Sequence, residues 1–232
     1  MTIAENLGRL REDIAAACRR AGRDERDVAL MAVSKVHPVE AILEAYAAGQ
    51  RLFGENRVQE YEQKSARLEG LEGMTFHLIG PLQSNKTNKA AELFDAIDAV
   101  DSLKIAQRLE TAAKALGKRL PVLIEVKLSH EESKHGIAPS ELIGLLDAMR
   151  EFEAVEAVGL MTVPPWSEDA EVARPYFREL RRLRDEAAKV HPKVTQLSMG
   201  MTNDFAVGIE EGSTCVRVGT AIFGKRVYAK AT

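Results

Sequence analysis

A regular alternation of strand-like and helix-like segments constrains this chain more than any single residue does. Strand-like runs fall at 28–34, 51–54, 75–80, 94–100, 121–126, 154–163, 194–198 and 214–218. Stretches with helical apolar spacing lie between most of them, at 39–48, 58–68, 103–116, 140–152 and 168–190. Runs this short, bounded by turn residues and rich in β-branched side chains, read as strands. A further helix leads the chain, with Ile3, Leu7, Leu10, Ile14 and Cys18 on one face and Gly22 as its stop. Strand–helix repeats of this kind build βαβ units on a parallel sheet. Eight units in 232 residues predict an α/β protein, a single (β/α)8 TIM barrel with an extra N-terminal helix. The alternative is an open doubly wound sheet. No linker, low-complexity segment or repeat divides the chain, so residues 1–232 read as one domain.

Composition narrows the function classes. A formal net charge of −3 argues against a general nucleic-acid binder. Cys18 and Cys215 match no metal spacing, and two lone thiols suit a reducing compartment. The N-terminal residues carry early acids and no long apolar stretch, so neither a signal peptide nor a membrane span is expected. A cytoplasmic location is the resulting expectation.

The chemistry-capable residues stand at or just past the C-terminal ends of the predicted strands. They include Lys35, Asn56, Gly80, Asp101, Lys127, Thr162, Ser198 and Arg217. In a barrel those ends share one rim, where active sites are built. Lys35 closes an apolar run, and a buried strand end gives an amine the setting to act as a nucleophile toward a carbonyl. The bland alternative is a solvated loop lysine. The turns after strands seven and eight, Ser198-Met199-Gly200 and Gly219-Thr220, lie where barrels often bind phosphate. Two ordinary glycine turns are the competing reading. Cys215 and Arg217 share one strand face, and a charge there points into the barrel mouth unless a carboxylate claims it. Together an amine, an anion turn and an inward guanidinium describe a site for pyridoxal 5′-phosphate (PLP).

The motifs carry a resemblance over nearly the whole chain. Ala32-Val33-Ser34-Lys35, Phe53-Gly54-Glu55-Asn56, His77-Leu78-Ile79-Gly80-Pro81-Leu82-Gln83-Ser84-Asn85-Lys86, Gly159-Leu160-Met161-Thr162-Val163-Pro164-Pro165 and residues 198–224 resemble the YggS/PROSC family, the PLP homeostasis proteins. That family is similar in fold to the N-terminal barrel of alanine racemase, PLP fold type III. The resemblance implies that Lys35 carries PLP as a Schiff base (an aldimine). It implies that Ser198, Gly219 and Thr220 bind the phosphate and that Arg217 meets the ring nitrogen. Asn56 and Met199 join the cofactor-binding set.

The resemblance also implies a non-catalytic role. An arginine partner keeps the ring nitrogen unprotonated and weakens the electron sink. The racemase's second base, a tyrosine, comes from an additional domain, and this chain ends at Thr232 shortly after its last strand. The expected role is therefore vitamin B6 homeostasis by a monomeric PLP carrier, with PLP-dependent apoenzymes as recipients and no nucleic acid or membrane partner. The alternatives are a PLP-dependent amino-acid racemase or lyase and, more remotely, a cofactor-free Schiff-base aldolase. The chain departs from the family pattern in three places: His37 replaces a second Lys, Thr202 a Ser, and Lys127 an Asn. Lys134 fits the family's Lys-x-Gly, as a second amine near the cofactor or as a solvated loop residue.

Three further patterns are decoys. Residues 219–226 resemble a P-loop, but Arg226 stands where a hydroxyl residue would hold Mg²⁺. His130 and His135 are five apart, not the four of a zinc-protease helix. Arg178, Arg181, Arg182 and Arg184 interleave with Glu179, Asp185 and Glu186, as on a solvated helix face.

Overall fold

Eight parallel strands close into a barrel in chain order, and the first pairs back to the last. The structure is a computed structural model and describes residues 1–129, 131 and 135–224. The strands are β1 (Ala29–Val33), β2 (Leu52–Glu55), β3 (Thr75–Leu78), β4 (Ala96–Val100), β5 (Leu120–Glu125), β6 (Val155–Met161), β7 (Gln196–Met201) and β8 (Cys215–Val218). Helices follow them in turn: α2 (Val39–Ala47), α3 (Val58–Ser65), α4 (Thr87–Leu93), α5 (Leu103–Ala115), α6 (Leu142–Ala148), α7 (Arg174–Ala188), α8 (Phe205–Glu210) and α9 (Thr220–Phe223). The leading helix α1 (Ile3–Arg20) starts on a capping box, in which Thr2 and Glu5 satisfy each other's backbone amides. It buries Leu7, Leu10, Ile14 and Cys18, the stripe that the spacing predicts. All eight predicted strands form, and ring closure excludes the open sheet.

The helices depart from the sequence reading in length. Those predicted over 140–152 and 168–190 begin with 3₁₀ turns, Pro139–Glu141 and Ala170–Ala173. The short helices α4, α8 and α9 span too few residues to show a period in the sequence. No helix of the described residues is long and apolar enough to cross a membrane.

Two cores result. The larger lies between sheet and helices, where Phe53, Phe76, Tyr61 and Phe94 stack with ring centroids 4.3–5.3 Å apart. Each fully buried side chain of this size contributes roughly 1.5–3 kcal/mol. The smaller core, Ala99, Leu123 and Met161, fills the inside of the barrel. β-Bulges interrupt the ladders at β4–β5, β5–β6 and β7–β8. A bulge adds one residue to a strand and re-aims the side chains beyond it. On α7, Arg178 pairs with Glu211, and Arg182 with Glu179 and Glu186, so the basic cluster is an ion-paired outer face. Arg226, His130 and Lys134 lie outside the described residues.

Glu110 ties α5 to the start of β6. Its carboxylate accepts the backbone N–H groups of Glu153, Ala154 and Val155 at 3.0, 3.0 and 2.8 Å. Burial disfavours ionisation, but those amides outweigh it and hold the pKa below the ordinary value. Removing the acceptor leaves buried donors unmet, so Glu110→Ala is expected to lower stability by about 2–3 kcal/mol in urea denaturation. The wild-type contribution is present above the unfolded pKa of about 4.3 and fades as pH falls through the folded value, so the gap between wild type and variant should close in acid.

Candidate functional site

A cavity of about 320 Å³ opens at the C-terminal end of the barrel. Lys35, Asn56, Arg217, Gly219 and Thr220 all line it, from β1, β2 and β8 or the turns that follow them. The period of two places them there. Val33 and Lys35 face the cavity, whereas Ala32 and Ser34 face away. Arg217 faces inward, whereas Val216 and Val218 join the core under the helices.

Arg217 is only 4% exposed. Its Nη1 donates to the carbonyl and hydroxyl oxygens of Ser198 at 2.6 and 2.7 Å, and its Nη2 donates to the carbonyl of Thr162 at 2.8 Å. None of these bonds uses Nε, and no carboxylate pairs with the guanidinium among the described residues. Burial pulls its pKa down, opposed at longer range by Cys215, Asp98 and Glu125. Between β3 and β4, His77 Nδ1 lies 3.0 Å from Asp98 Oδ1. Burial opposes protonation of that imidazole, but Asp98 outweighs burial and the pKa is raised. Burial pushes the Cys215 thiol up to about 12, which leaves it an inert neutral group at neutral pH.

Two expected residues sit elsewhere. Ser198 is fully buried beneath the rim, and its hydroxyl holds Arg217. The Met199 side chain packs in the core between sheet and helices. The bulge between Ser198 and Met201 then brings Met201 and Thr202 to the cavity instead. The hydroxyls on the cavity wall are those of Thr202 and Thr220. His37, the other departure that reaches the site, also lines the cavity, and its ring stacks on Phe223 at 4.9 Å. Lys127 lines no part of it; its amide donates to Ile137.

Other wall residues were not predicted. Val33, Ile79, Pro81 and Val163 give apolar surface, and Glu125 and His135 give titratable groups. His135 arrives from a loop that turns back on β5. Gly136 takes φ +113°, and a Cβ there would lie 2.8 Å from the Glu125 carbonyl and the Lys127 amide. Only glycine allows that approach. Among the described residues no tyrosine lines the cavity.

Gly80 and Val36 show how tightly the rim is built. A Cβ on Gly80 would lie 2.2 Å from the Asn56 carbonyl oxygen and 2.7 Å from its side chain. Val36, next to Lys35, has φ +61°. For a β-branched residue that is an outlier, which costs on the order of 1–3 kcal/mol and persists only where other contacts enforce it.

Fold and site together define a (β/α)8 protein with an amine and a buried guanidinium converging on one small cavity. The sequence profile of the alanine racemase N-terminal domain family matches residues 6–227. A pyridoxal phosphate homeostasis protein of Aquifex aeolicus is 42% identical over 229 residues, covering 98% of this chain and 100% of the relative. PipY of Synechococcus elongatus, solved without PLP, superposes with a TM-score of 0.88 at 42% identity, covering 96% of this chain and 100% of that one. The same protein with PLP bound gives 0.86 at 41% identity, with the same coverage. The chain belongs to the pyridoxal phosphate homeostasis protein family, whose barrel is that of the alanine racemase N-terminal domain.

Gly80→Ala tests the packing of this rim. The added methyl meets backbone, which cannot yield as a flexible side chain does. The expected loss is about 1–3 kcal/mol in thermal or urea unfolding. A variant as stable as wild type would show that Asn56 moves freely.

Proposed function

We propose that the cavity holds pyridoxal 5′-phosphate on Lys35 and that the chain serves vitamin B6 homeostasis as a carrier, not as an enzyme. One observation carries the reading: Lys35, Arg217, Gly219 and Thr220 line a single cavity of about 320 Å³. That volume lies at the small end of ligand sites. The donor set fits the group. Val33, Ile79 and Val163 supply apolar surface for a flat ring. The hydroxyls of Thr202 and Thr220, with the Thr220 and Ala221 amides at the start of α9, supply donors for a phosphate. Arg217 supplies a donor that does not give up its proton, suited to a neutral ring nitrogen. The PLP-bound relative at 41% identity supports the same assignment.

When bound, PLP would supply an aldehyde, which the Lys35 amine could hold by a condensation that releases one water and is reversed by hydrolysis, with no oxidant or reductant. Lys35 thus acts as a reversible tether. Ser198 and Thr162 hold Arg217 in place, and Asn56 closes the wall beside Gly80. PLP-dependent apoenzymes are the proposed recipients, and a monomer the proposed solution state.

The purified protein with PLP should be yellow, and borohydride should fix the cofactor on the Lys35 peptide. Lys35→Ala should abolish that adduct. A colourless protein with no adduct would sink the reading. Incubation with L-amino acids in deuterated water separates carrier from racemase or lyase, because His37 and His135 are imidazoles on the cavity wall. Slow, non-catalytic α-proton exchange is expected; rapid turnover would establish an enzyme. Thr220→Val should weaken PLP binding by about 1.5–3 kcal/mol, measured by spectroscopic titration, through loss of a bond to a charged group.

A further inference from the structure

We infer that Glu60 and Lys64 of α3 are positioning residues for Lys35, aiming its amine from behind the barrel wall by clamping Ser34 and Val36 on either side of it. The inference rests on the reading of Lys35 as the cofactor's point of attachment.

The clamp is a buried ionic network on the face of the wall opposite the cavity. Lys64 Nζ donates to the Glu60 and Glu55 carboxylates at 2.7 and 2.9 Å and to the Ser34 carbonyl at 3.2 Å. An ammonium has three donors, so all of them are engaged. The Ser34 hydroxyl donates to Glu55 at 2.8 Å. The Val36 amide donates to Glu60 at 2.5 Å. The backbone before and after Lys35 is therefore tied to one ammonium, directly at Ser34 and through Glu60 at Val36.

A simple tie between helix and sheet would need one ion pair, and Lys64–Glu55 would suffice. The network does more. It reaches the one described non-glycine residue with positive φ, and Val36 is 53% exposed, so packing does not hold it there. The Glu60 carboxylate on its amide holds it, together with the turn bond from the His37 amide to the Ser34 carbonyl at 3.1 Å. Relaxing Val36 to negative φ would rotate the peptide that follows Lys35 and swing its side chain. Burial is accepted for this arrangement: one oxygen of Glu55 is buried without a hydrogen-bond partner. Val33 and Lys35 face the cavity while every member of the clamp lies outside it, so the network shapes the tether without touching what the cavity holds.

Glu60→Ala tests this, with Glu60→Gln as the conservative partner that keeps an acceptor oxygen. Glu60 is partly exposed, so its removal spares the core, whereas Lys64→Met would strand a buried carboxylate and serves as a secondary variant. Two readouts are needed. Hydrogen exchange at the Val36 amide, measured without cofactor, should lose its protection in Glu60→Ala and keep it in Glu60→Gln. The rate at which PLP forms its borohydride-reducible adduct should fall about tenfold to a hundredfold in Glu60→Ala, the scale of a small misplacement of reacting groups. Affinity for pyridoxine 5′-phosphate, an alcohol that cannot form the adduct, should stay unchanged. An unchanged adduct rate, or an equal loss of adduct rate and pyridoxine 5′-phosphate affinity, would overturn the inference. If wild type itself forms no adduct at Lys35, the carrier reading fails, and that failure is visible before any variant is made.

Discussion

A strand in a closed barrel wall sends successive side chains to opposite sides, and the rest of this site depends on that pleat. At the end of β1, Lys35 enters the cavity and Ser34 meets α3 behind the wall. On β8, Arg217 enters the barrel while Val216 and Val218 bind the sheet to its helices. One residue of slip would exchange the two sets, burying the apolar residues inside and turning the charges against the helices. Register is therefore enforced by the hydrophobic core. The chemistry at the mouth inherits its precision from packing that never touches it. The bulges are the exceptions, each adding a residue so that the pattern resumes with different side chains inside.

This explains which parts of the molecule were readable from the sequence. Strands were, because each is a short apolar run between breakers, and all eight form. Lys35, Asn56, Arg217, Gly219 and Thr220 were readable as cavity residues because each ends or follows a strand. Depth was not readable. Ser198 has the right face but lies below the rim, where it holds Arg217. Met199 is its neighbour on the opposite face, so its side chain joins the outer core. The bulge after it, which delivers Thr202 to the cavity, depends on pairing with β8 and leaves no local trace. His135 needs a long loop folded back through Gly136, a contact that is tertiary in origin. The positive φ of Val36 was equally hidden, since valine argues against it.

The electrostatics follow the same division between face and depth. Arg217 is dehydrated, yet its contacts are two carbonyls and a hydroxyl. The negative charges that oppose its burial act from farther away: Asp98 is engaged with His77, and Asp204 accepts the Met201 amide. A charge compensated at a distance keeps its directional donors for a neighbour, which a tight salt bridge would consume. Behind β1 the arrangement is reversed. Lys64 is fully bonded to carboxylates and a carbonyl, and no donor of its ammonium is left for another partner. One buried cation is kept available and the other is spent on geometry.

A site that holds an aldehyde needs an amine of fixed direction and reach, and a clamp for the far end of the ligand. A site that turns substrate over also needs groups placed to move protons. Here the first set stands at strand ends, where β1 and β8 pair directly through Met31–Arg217 and Ala32–Val218. The neighbouring strands thus fix Lys35 and Arg217 relative to each other. The exchangeable protons of His37 and His135 sit on connecting segments, one stacked on Phe223 and the other carried by the loop that closes on β5. Loops sample positions that strands do not. Strand pairing therefore fixes the amine and the guanidinium against each other, while both imidazoles stand outside the strands, the distribution that the carrier proposal expects.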